Sequence, residues 1–293
     1  SNAKLSEAQP QAEAEFRGWR LYFKMPLVSG EWEMSATRII AIPRLTEIVG
    51  PLLAARLITV LMKPSVMAVM GPAGSGKTTL INSLLNEVIA IWPSLRIAVV
   101  EQVRELVLPN VATIARSVAG PNTPVTLLIR QSLRYERPEV FVLGELRSEE
   151  IWSWVEAGRL GIGTLTTIHA PSLEKAIKTM AQLMRQNLPD ATEEDVLRLV
   201  DAFTLSRKYI LLDGTIARRV EIAAVSAVEG GRVVLQPVYR LEEGHLPEEE
   251  FLQLLPDRLL TGETEDVYNL LKTRFKVRIE EVEFAELEPM TIK

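Results

Sequence analysis

Residues 71–79, Gly-Pro-Ala-Gly-Ser-Gly-Lys-Thr-Thr, constrain the fold of this chain more than any other segment. An apolar run, 65–70, precedes them, and residues 78–91 follow with apolar side chains at helical spacing. A glycine-rich turn between a strand and a helix lets backbone N–H groups converge on one anion, and the helix start adds its positive dipole end. The spacing Gly-x4-Gly-Lys-Thr in this context therefore predicts a phosphate loop.

The residues of this loop have different expected roles. We expect the Lys77 ammonium to reach the β and γ phosphates of a nucleotide, and the Thr78 hydroxyl to ligate Mg²⁺. The other expected nucleotide-binding residues are Gly71, Pro72, Ala73, Gly74, Ser75, Gly76 and Thr79. The alternative is an ordinary glycine turn that opens a helix, and the agreement of motif and context disfavours it.

Composition permits a full globular core and excludes some kinds of site. The 293 residues are 47% hydrophobic and 24% charged, which suits one large domain or two modest ones. The net charge of −5 gives no reason to expect a nucleic-acid partner, although a local basic groove stays open. Without cysteine there is no disulfide framework and no thiolate zinc site. No run approaches the ~20 apolar residues of a spanning helix, so we expect no transmembrane segment.

Helices and short apolar strands alternate from residue 45 onwards. Beyond the phosphate loop the pattern predicts strands at 96–100, 140–143 and 164–168. It predicts helices at about 124–135, 148–158 and 172–187, and again within 246–275. After Ser206, turns at Asp213-Gly214 and Glu229-Gly230-Gly231 predict hairpins. The order indicates an α/β fold, with a mainly parallel sheet covered by helices and extended by antiparallel edge hairpins.

The N-terminal residues follow a different pattern. Residues 1–3, Ser-Asn-Ala, are typical of an expression scar, and 4–15, rich in Ala, Glu and Gln, favour a frayed helix or disorder. Residues 19–25 and 31–40 alternate around a turn and predict two antiparallel strands. We expect these strands to be the C-terminal part of a larger N-terminal domain.

Two strands of the predicted sheet end on carboxylates. Glu145 follows closely on the strand 140–143, and Glu101 follows 96–100, with Glu105 one helical turn further on. The carboxyl ends of parallel strands lie at the edge of the sheet where the phosphate loop begins. Two carboxylates there suit one partner for Mg²⁺ and one for an attacking water, and of Glu101 and Glu145 the pattern slightly favours Glu101 for the water. For each, a solvated acid at a strand end is the alternative.

The histidines and two arginines are less specific signals. His169 ends the predicted strand 164–168 at the same edge, although a lone histidine is more often structural. His245 lies in an acidic turn, where we expect no functional role. Arg134 and Arg137 indicate either a solvated helix end or a surface that faces a neighbouring subunit.

Four further motifs follow the phosphate loop. They are Val100-Glu101-x3-Glu105-Leu106, Leu133-Arg134-x2-Arg137-Pro138-Glu139, Gly144-Glu145-Leu146-Arg147 and Gly163-Thr164-Leu165-Thr166-Thr167-Ile168-His169-Ala170. This order resembles the secretion ATPase superfamily, which powers type II and type IV secretion, type IV pili and archaeal flagella. The resemblance covers about residues 20–240.

The resemblance implies roles for five candidate catalytic residues. Glu101 and Glu105 match the acidic box of the superfamily. Glu145 matches its Walker B glutamate, which would hold Mg²⁺ directly or through a water. Arg147 matches the arginine that follows that glutamate, and His169 matches the histidine box.

The resemblance also implies an architecture and a setting. Residues 46–293 would form a RecA-like ATPase domain, and 1–45 the tag, linker and C-terminal part of an N-terminal domain, with Arg38 at a position that is commonly basic. ATP and Mg²⁺ would bind between the two domains, near the adjacent subunit of a hexameric ring. A membrane platform protein of a secretion or pilus system would be the partner, at the inner face of the cytoplasmic membrane. No direct nucleic-acid partner is expected.

The sequence departs from the superfamily pattern in three places. Gln102 replaces the acid that often follows the first box glutamate. The earlier Gly-His pair of the histidine box is missing around Gly158-Arg159, so its role is absent or taken by Arg159. The lack of cysteine excludes the four-cysteine module of many type II members. This points toward the type IV secretion, tight-adherence or archaeal surface-filament branches.

Three functions stay open from the sequence. The first is an ATP-hydrolysing motor for filament assembly or type II or type IV protein secretion. The second is a RecA-like DNA motor, against which the acidic charge and the Gly144-Glu145-Leu146-Arg147 motif argue. The third is a nucleotide-dependent interaction module with little turnover.

Overall fold

The computed structural model describes residues 5–17, 19–38, 41–120, 122–147, 150–278, 284 and 286–291. The chain divides into two compact units, Ser1–Ile42 and Pro43–Lys293. The predicted tag at 1–3, the end of the predicted strand 31–40 and the start of the predicted helix 148–158 lie outside the described residues.

The first unit contains a three-stranded antiparallel sheet. Its elements are β1 (Gln11–Phe16), β2 (Trp19–Lys24), α1 (Pro26–Ser29) and β3 (Glu33–Arg38). Strand β2 lies in the middle and pairs with both neighbours, as the predicted strands at 19–25 and 31–40 require. The prediction of a frayed helix or disorder over 4–15 is wrong at 11–15, which belong to β1. There, pairing with β2 along all six residues overrides the helix propensity of Ala and Glu.

The second unit contains a large sheet and a set of helices. The sheet strands are β4 (Val66–Gly71), β5 (Ile97–Glu101), β6 (Ile114–Val118), β7 (Val140–Leu143), β8 (Gly163–His169), β9 (Ala202–Ile210), β10 (Ile216–Glu229), β11 (Arg232–Arg240) and β12 (Gly244–His245). The helices are α2 (Leu45–Val49), α3 (Pro51–Met62), α4 (Lys77–Ile91), α5 (Val125–Gln131), α6 (Ile151–Arg159), α7 (Leu173–Met184), α8 (Glu193–Leu199), α9 (Glu248–Gln253) and α10 (Thr264–Phe275). A π-helical turn, Ser132–Glu136, extends α5, and a small hairpin, β13 (Arg258–Leu259) with β14 (Gly262–Glu263), precedes α10.

The strands of the large sheet follow the order β12-β11-β10-β9-β4-β8-β7-β5-β6. The six strands from β9 to β6 in this order are parallel, and β10, β11 and β12 extend the sheet antiparallel. The predicted α/β fold with a mainly parallel sheet and antiparallel edge hairpins is confirmed. One strand, β8, separates the phosphate-loop strand β4 from β7, so the carboxyl ends of these strands meet at one edge.

Alternating side chains of the central strands pack into two hydrophobic clusters. In β4, Met67 and Val69 belong to one cluster, while Ala68 and Met70 belong to the other. Helices α3 and α4 contribute to the first cluster, and α6 and α7 to the second. Burial on both faces explains why these strands read as continuous apolar runs rather than as alternating ones.

Some elements differ from the predictions in position. Strand β6 was not predicted, because its half-buried residues 114–118 lack the continuous apolar run of the central strands. Strand β9 begins at Ala202, pairs parallel with β4, and only then runs on into the predicted hairpin. No helix in the described ranges is both long and apolar enough to cross a membrane.

Candidate functional site

The glycine-rich loop joins β4 to α4 at the carboxyl edge of the sheet. Gly71 has a positive φ of 153°, and a Cβ at this position would collide with the carbonyl oxygen of Ser206 on the adjacent strand β9. Gly76, with φ 95°, precedes the first residue of α4. The glycines thus permit both the close approach of two backbones and the sharp entry into the helix.

Lys77 is buried and lies against the loop from which it projects. Its Nζ donates hydrogen bonds to the carbonyl oxygens of Gly71 at 2.9 Å and Pro72 at 3.0 Å. Burial lowers the pKa of Lys77, and the nearby carboxylates of Glu145 and Glu105 partly offset this effect. Phosphate oxygens are stronger acceptors than carbonyls for an ammonium, so a bound phosphate can replace these contacts.

Thr78 and Glu105 bring an acid to the start of α4. The Thr78 hydroxyl donates a hydrogen bond to Glu105 Oε2 at 3.2 Å. The cleft supplies the Thr78 hydroxyl and the carboxylates of Glu105 and Glu145, and such oxygen ligands are those that Mg²⁺ takes when nucleotide phosphates complete its coordination. The described residues include no group of three His, Cys, Asp or Glu side chains suited to a metal on their own. The donor set therefore fits Mg²⁺ held jointly by protein and phosphate.

Glu101 holds together the segment that carries Glu105. It is 1% exposed, and its Oε1 accepts hydrogen bonds from the backbone N–H groups of Glu105 and Leu106, both at 2.8 Å. Its Oε2 forms an ion pair at 3.1 Å with Arg116 on β6. A Cβ at Gly144 would lie only 3.1 Å from Glu101 Cγ, so the glycine makes room for this carboxylate. Both carboxylate oxygens of Glu101 are thus engaged by protein donors.

Glu145, Arg147 and His169 meet at the end of the neighbouring strands. Glu145 Oε2 accepts a hydrogen bond from Arg147 Nη2 at 3.0 Å, and its Oε1 lies 3.6 Å from His169 Nε2. The other ring nitrogen of His169 lies 3.3 Å from Lys77 Nζ. This placement follows from strand register, because His169 is the pairing partner of Gly71 in the parallel ladder of β4 and β8. The imidazole therefore bridges the loop lysine and the strand-end glutamate.

These side chains surround one cleft of about 490 Å³. The sequence-predicted residues that line it are Ala73, Gly74, Gly76, Lys77, Thr78, Thr79, Glu101, Glu105, Glu145, Arg147 and His169. The remaining predicted residues, Gly71, Pro72 and Ser75, form the loop behind this lining. The motifs are far apart in the sequence, and the sheet edge brings them together.

Four arginines considered from the sequence lie elsewhere. Arg134 and Arg137 are exposed outside the cleft lining, and the Arg134 guanidinium lies over the Tyr135 ring, 5.4 Å from its centroid. Arg159 is exposed at the end of α6 and is not among the residues that line the cleft, and this position does not support it as a substitute for the missing histidine. Arg38 belongs to the first unit, where its guanidinium lies 5.7 Å from the centroid of the Trp19 ring.

Sequence reasoning did not predict the contacts of three polar residues of the site, of which Gln102 was noted as a departure from the superfamily pattern. Arg116 pairs with Glu101, Gln102 Nε2 donates to the carbonyl oxygen of Glu145 at 3.1 Å, and Arg218 lines the cleft. Arg116 lies on a strand that the pattern did not reveal, and Arg218 lies on β10, far from every recognised motif. Local sequence carries no signal for either contact.

Comparison with known proteins agrees with this geometry. The family model "Type II/IV secretion system protein" matches residues 51–235. Protein VirB11 of Agrobacterium fabrum (strain C58 / ATCC 33970) is 33% identical over 135 residues, which are 44% of this chain and 38% of that protein. The matched segment thus spans well under half of that relative's length.

Two solved structures share the fold. The ATPase DotB of Legionella pneumophila aligns with a TM-score of 0.58 at 20% identity, covering 91% of this chain and 68% of that one. The VirB11 ATPase of the Brucella suis type IV secretion system, solved in complex with sulphate, gives 0.51 at 23% identity over 76% and 75%. The sheet order, the phosphate loop and the family match over more than half of the sequence lead to one conclusion. This chain has a RecA-like fold and belongs to the type II/IV secretion system protein family, within the secretion ATPase superfamily.

Proposed function

We propose that this chain binds ATP with Mg²⁺ and hydrolyses it, as the motor of a type II or type IV secretion system or of a related filament-assembly system. The observation that carries the proposal is the cluster of Lys77, His169 and Glu145 in one cleft beside the phosphate loop. A lysine for the phosphates and a carboxylate for the metal or the attacking water are groups that phosphoryl-transfer sites use, and the imidazole of His169 lies between them here.

Each side chain has a proposed task. Lys77, now on two carbonyl oxygens, would bind the β and γ phosphates, and Thr78 and Glu145 would hold Mg²⁺, the latter directly or through a water. When bound, Mg²⁺ neutralises charge on the phosphates. Catalysis by such sites consists mainly of positioning and electrostatic stabilisation, so the contacts that fix these groups matter as much as the groups themselves.

Glu105 is the better candidate for orienting the attacking water. Glu101 has both oxygens engaged by Glu105, Leu106 and Arg116, which suits a positioning residue. Glu105 instead directs its carboxylate toward Thr78 at the start of α4. We therefore assign Glu101 to holding the acidic segment in place and Glu105 to the water.

The alternatives differ in one assay. Steady-state phosphate release from ATP is measured with and without Mg²⁺, and with and without added single- and double-stranded DNA. A secretion motor releases phosphate only with Mg²⁺ and is unaffected by DNA, whereas a DNA motor is stimulated by it. An interaction module binds nucleotide but releases no phosphate above background. DNA stimulation or absent turnover would each contradict the proposal.

The setting of the motor is also proposed. Residues 46–293 form the ATPase domain, and 1–45 belong to a tag, a linker and part of an N-terminal domain. We propose that copies of the chain form a hexameric ring and act with a membrane platform protein at the inner face of the cytoplasmic membrane. Support comes from the family to which the chain belongs and from the names of two similar proteins. These are Protein VirB11 and the VirB11 ATPase of a type IV secretion system.

A further inference from the structure

Arg218 lies on β10, beside the phosphate loop. Its Nε donates a hydrogen bond to the carbonyl oxygen of Gly74 at 2.9 Å. Its aliphatic stem passes Gly76, where an added Cβ would lie 3.4 Å from Arg218 Cδ. The side chain is exposed and lines the same cleft as Lys77. The loop that Lys77 contacts is thus also contacted by a second cation.

The hairpin of β9 and β10 keeps this arginine in a fixed place. It approaches the loop at a second point, where the carbonyl of Ser206 on β9 packs directly against Gly71. Residues 216–220 of β10 pair in regular register with residues 206–210 of β9. Arg218 therefore projects from paired strands rather than from an unsupported turn, as a ligand-contacting residue requires.

The charge of Arg218 is unbalanced on its own side of the hairpin. Over the described ranges of the chain, no carboxylate pairs with its guanidinium. Its direct cross-strand neighbour is Lys208, so two like charges face each other, an arrangement that destabilises a sheet. On the opposite face of the hairpin, by contrast, Arg207 forms an ion pair with Glu221. An anion bound in the cleft would supply the missing negative charge.

We propose that Arg218 contacts the phosphate groups of the bound nucleotide, as a cation that the C-terminal hairpin adds to Lys77. The inference rests on the proposed function. Nε of the guanidinium is bound to Gly74, while the two terminal nitrogens carry donors in a planar fork that matches phosphate oxygens. The contact makes the hairpin part of the nucleotide site and lets it respond to occupancy.

The test is the affinity for ADP, measured by isothermal titration calorimetry. Arg218→Ala removes the cation, and Arg218→Gln removes the charge while keeping an amide donor for the Gly74 carbonyl. Arg219→Ala is the matched control, because Arg219 is the exposed neighbour on the opposite face of β10 and does not line the cleft. Adenosine is the phosphate-free probe, and thermal melting without nucleotide reports on the fold.

We expect both Arg218 variants to bind ADP about tenfold more weakly, with adenosine affinity and melting temperature unchanged. Arg219→Ala should bind ADP as the wild type does. The inference is overturned if Arg218→Gln matches Arg219→Ala in ADP affinity, or if it weakens adenosine as much as ADP. A wild-type chain that binds no ADP overturns the proposed function as well, whereas wild-type binding with unaffected Arg218 variants overturns only the role of Arg218.

Discussion

At the scale of single residues, the central feature is the contact of His169 with two groups of opposite charge. Its ring nitrogens lie 3.3 Å from Lys77 Nζ and 3.6 Å from Glu145 Oε1. A bound γ-phosphate would draw Lys77 away from the carbonyl oxygens of Gly71 and Pro72. The imidazole of His169 lies next to both Lys77 and Glu145. The strand that ends on His169 leads through Ser172 into α7, so a change in its contacts can reach that helix.

We predict that His169→Ala separates nucleotide binding from turnover. The variant should fold normally, bind ATP and ADP with almost equal affinity, and lose turnover by about tenfold or more, the cost of one hydrogen bond to a charged group. Calorimetry and phosphate release measure the two effects, and His169→Gln, which keeps one donor, should recover part of the turnover. A variant that melts at a markedly lower temperature with unchanged activity per molecule would show that the histidine is structural.

Sequence alone predicts the residues whose partners are close in the chain or at strand ends. The phosphate loop is contiguous, and the edge rule for parallel strands brings Glu101, Glu145 and His169 to it. The engagement of both Glu101 oxygens was not predictable, because one donor is Arg116, which lies 3.1 Å away on an unpredicted edge strand. Arg218 could not be found either, since its contact with Gly74 depends on the folding of a distant hairpin.

At the scale of elements, a buried arginine on α3 joins the C-terminal segments to the sheet. Arg56 is fully buried, and its guanidinium donates hydrogen bonds to the carbonyl oxygens of Val238 and Leu246. It also stacks over Phe251, 4.7 Å from the ring centroid. Burial lowers the pKa of Arg56, and interaction with Tyr268 partly offsets this. One side chain thus contacts β11, the segment after β12 and α9.

His245 on β12 lies near this arginine and makes stability depend on pH. Burial, with a smaller contribution from the charge of Arg56, lowers its pKa from 6.5 to about 4. The unfolded chain therefore takes up a proton near pH 6.5, whereas the folded chain resists it until about pH 4. This titration therefore leaves the free energy of unfolding unreduced above about pH 6.5 and lowers it as the pH falls from about 6.5 to about 4.

We predict that His245→Phe flattens this part of the stability profile. Phenylalanine keeps a ring against Tyr239, whose centroid lies 4.8 Å from that of His245, but it cannot take up a proton. Urea unfolding at several pH values between 4 and 7 measures the free energy of unfolding of the wild type and the variant. Both proteins have the same carboxylates, so the contribution of these groups cancels in the difference between the two values. The free energy of unfolding should fall more steeply with acid in the wild type, and parallel profiles would contradict the shifted pKa. The acidic turn around His245 does not indicate from sequence alone that its ring is half-buried.

Elements were predictable where periodicity was strong. Central strands such as β4 and β7 are apolar throughout because both faces are covered, and amphipathic helices such as α7 follow the helical period. Strands β1 and β6 were missed because pairing with a neighbour, rather than their own composition, decides their conformation.

At the scale of the whole molecule, we predict a closed ring. A nucleotide site that a neighbouring copy completes requires a heterologous interface, in which two copies meet through different surfaces. Six copies arranged around one axis close such an assembly into a ring, so that no copy is left with an unpaired interface. Sedimentation velocity of the protein with excess non-hydrolysable ATP analogue should show a species of about six times the monomer mass. A protein that stays monomeric at high concentration under these conditions would rule the ring out.

The central claim is that the cleft hydrolyses ATP, and phosphate release from Mg²⁺-ATP by Lys77→Ala, beside the wild type, tests it most directly. Lys178→Ala is the matched control, because this exposed lysine on α7 forms an ion pair with Glu174 on the same helix and is not among the residues that line the cleft. Removing the Lys77 ammonium deletes charge-assisted hydrogen bonds worth about 1.5–3 kcal/mol, a factor of about 10 to 150. We expect Mg²⁺-dependent release by wild type and Lys178→Ala, and its near loss in Lys77→Ala. Release by Lys77→Ala at the wild-type rate would contradict the account.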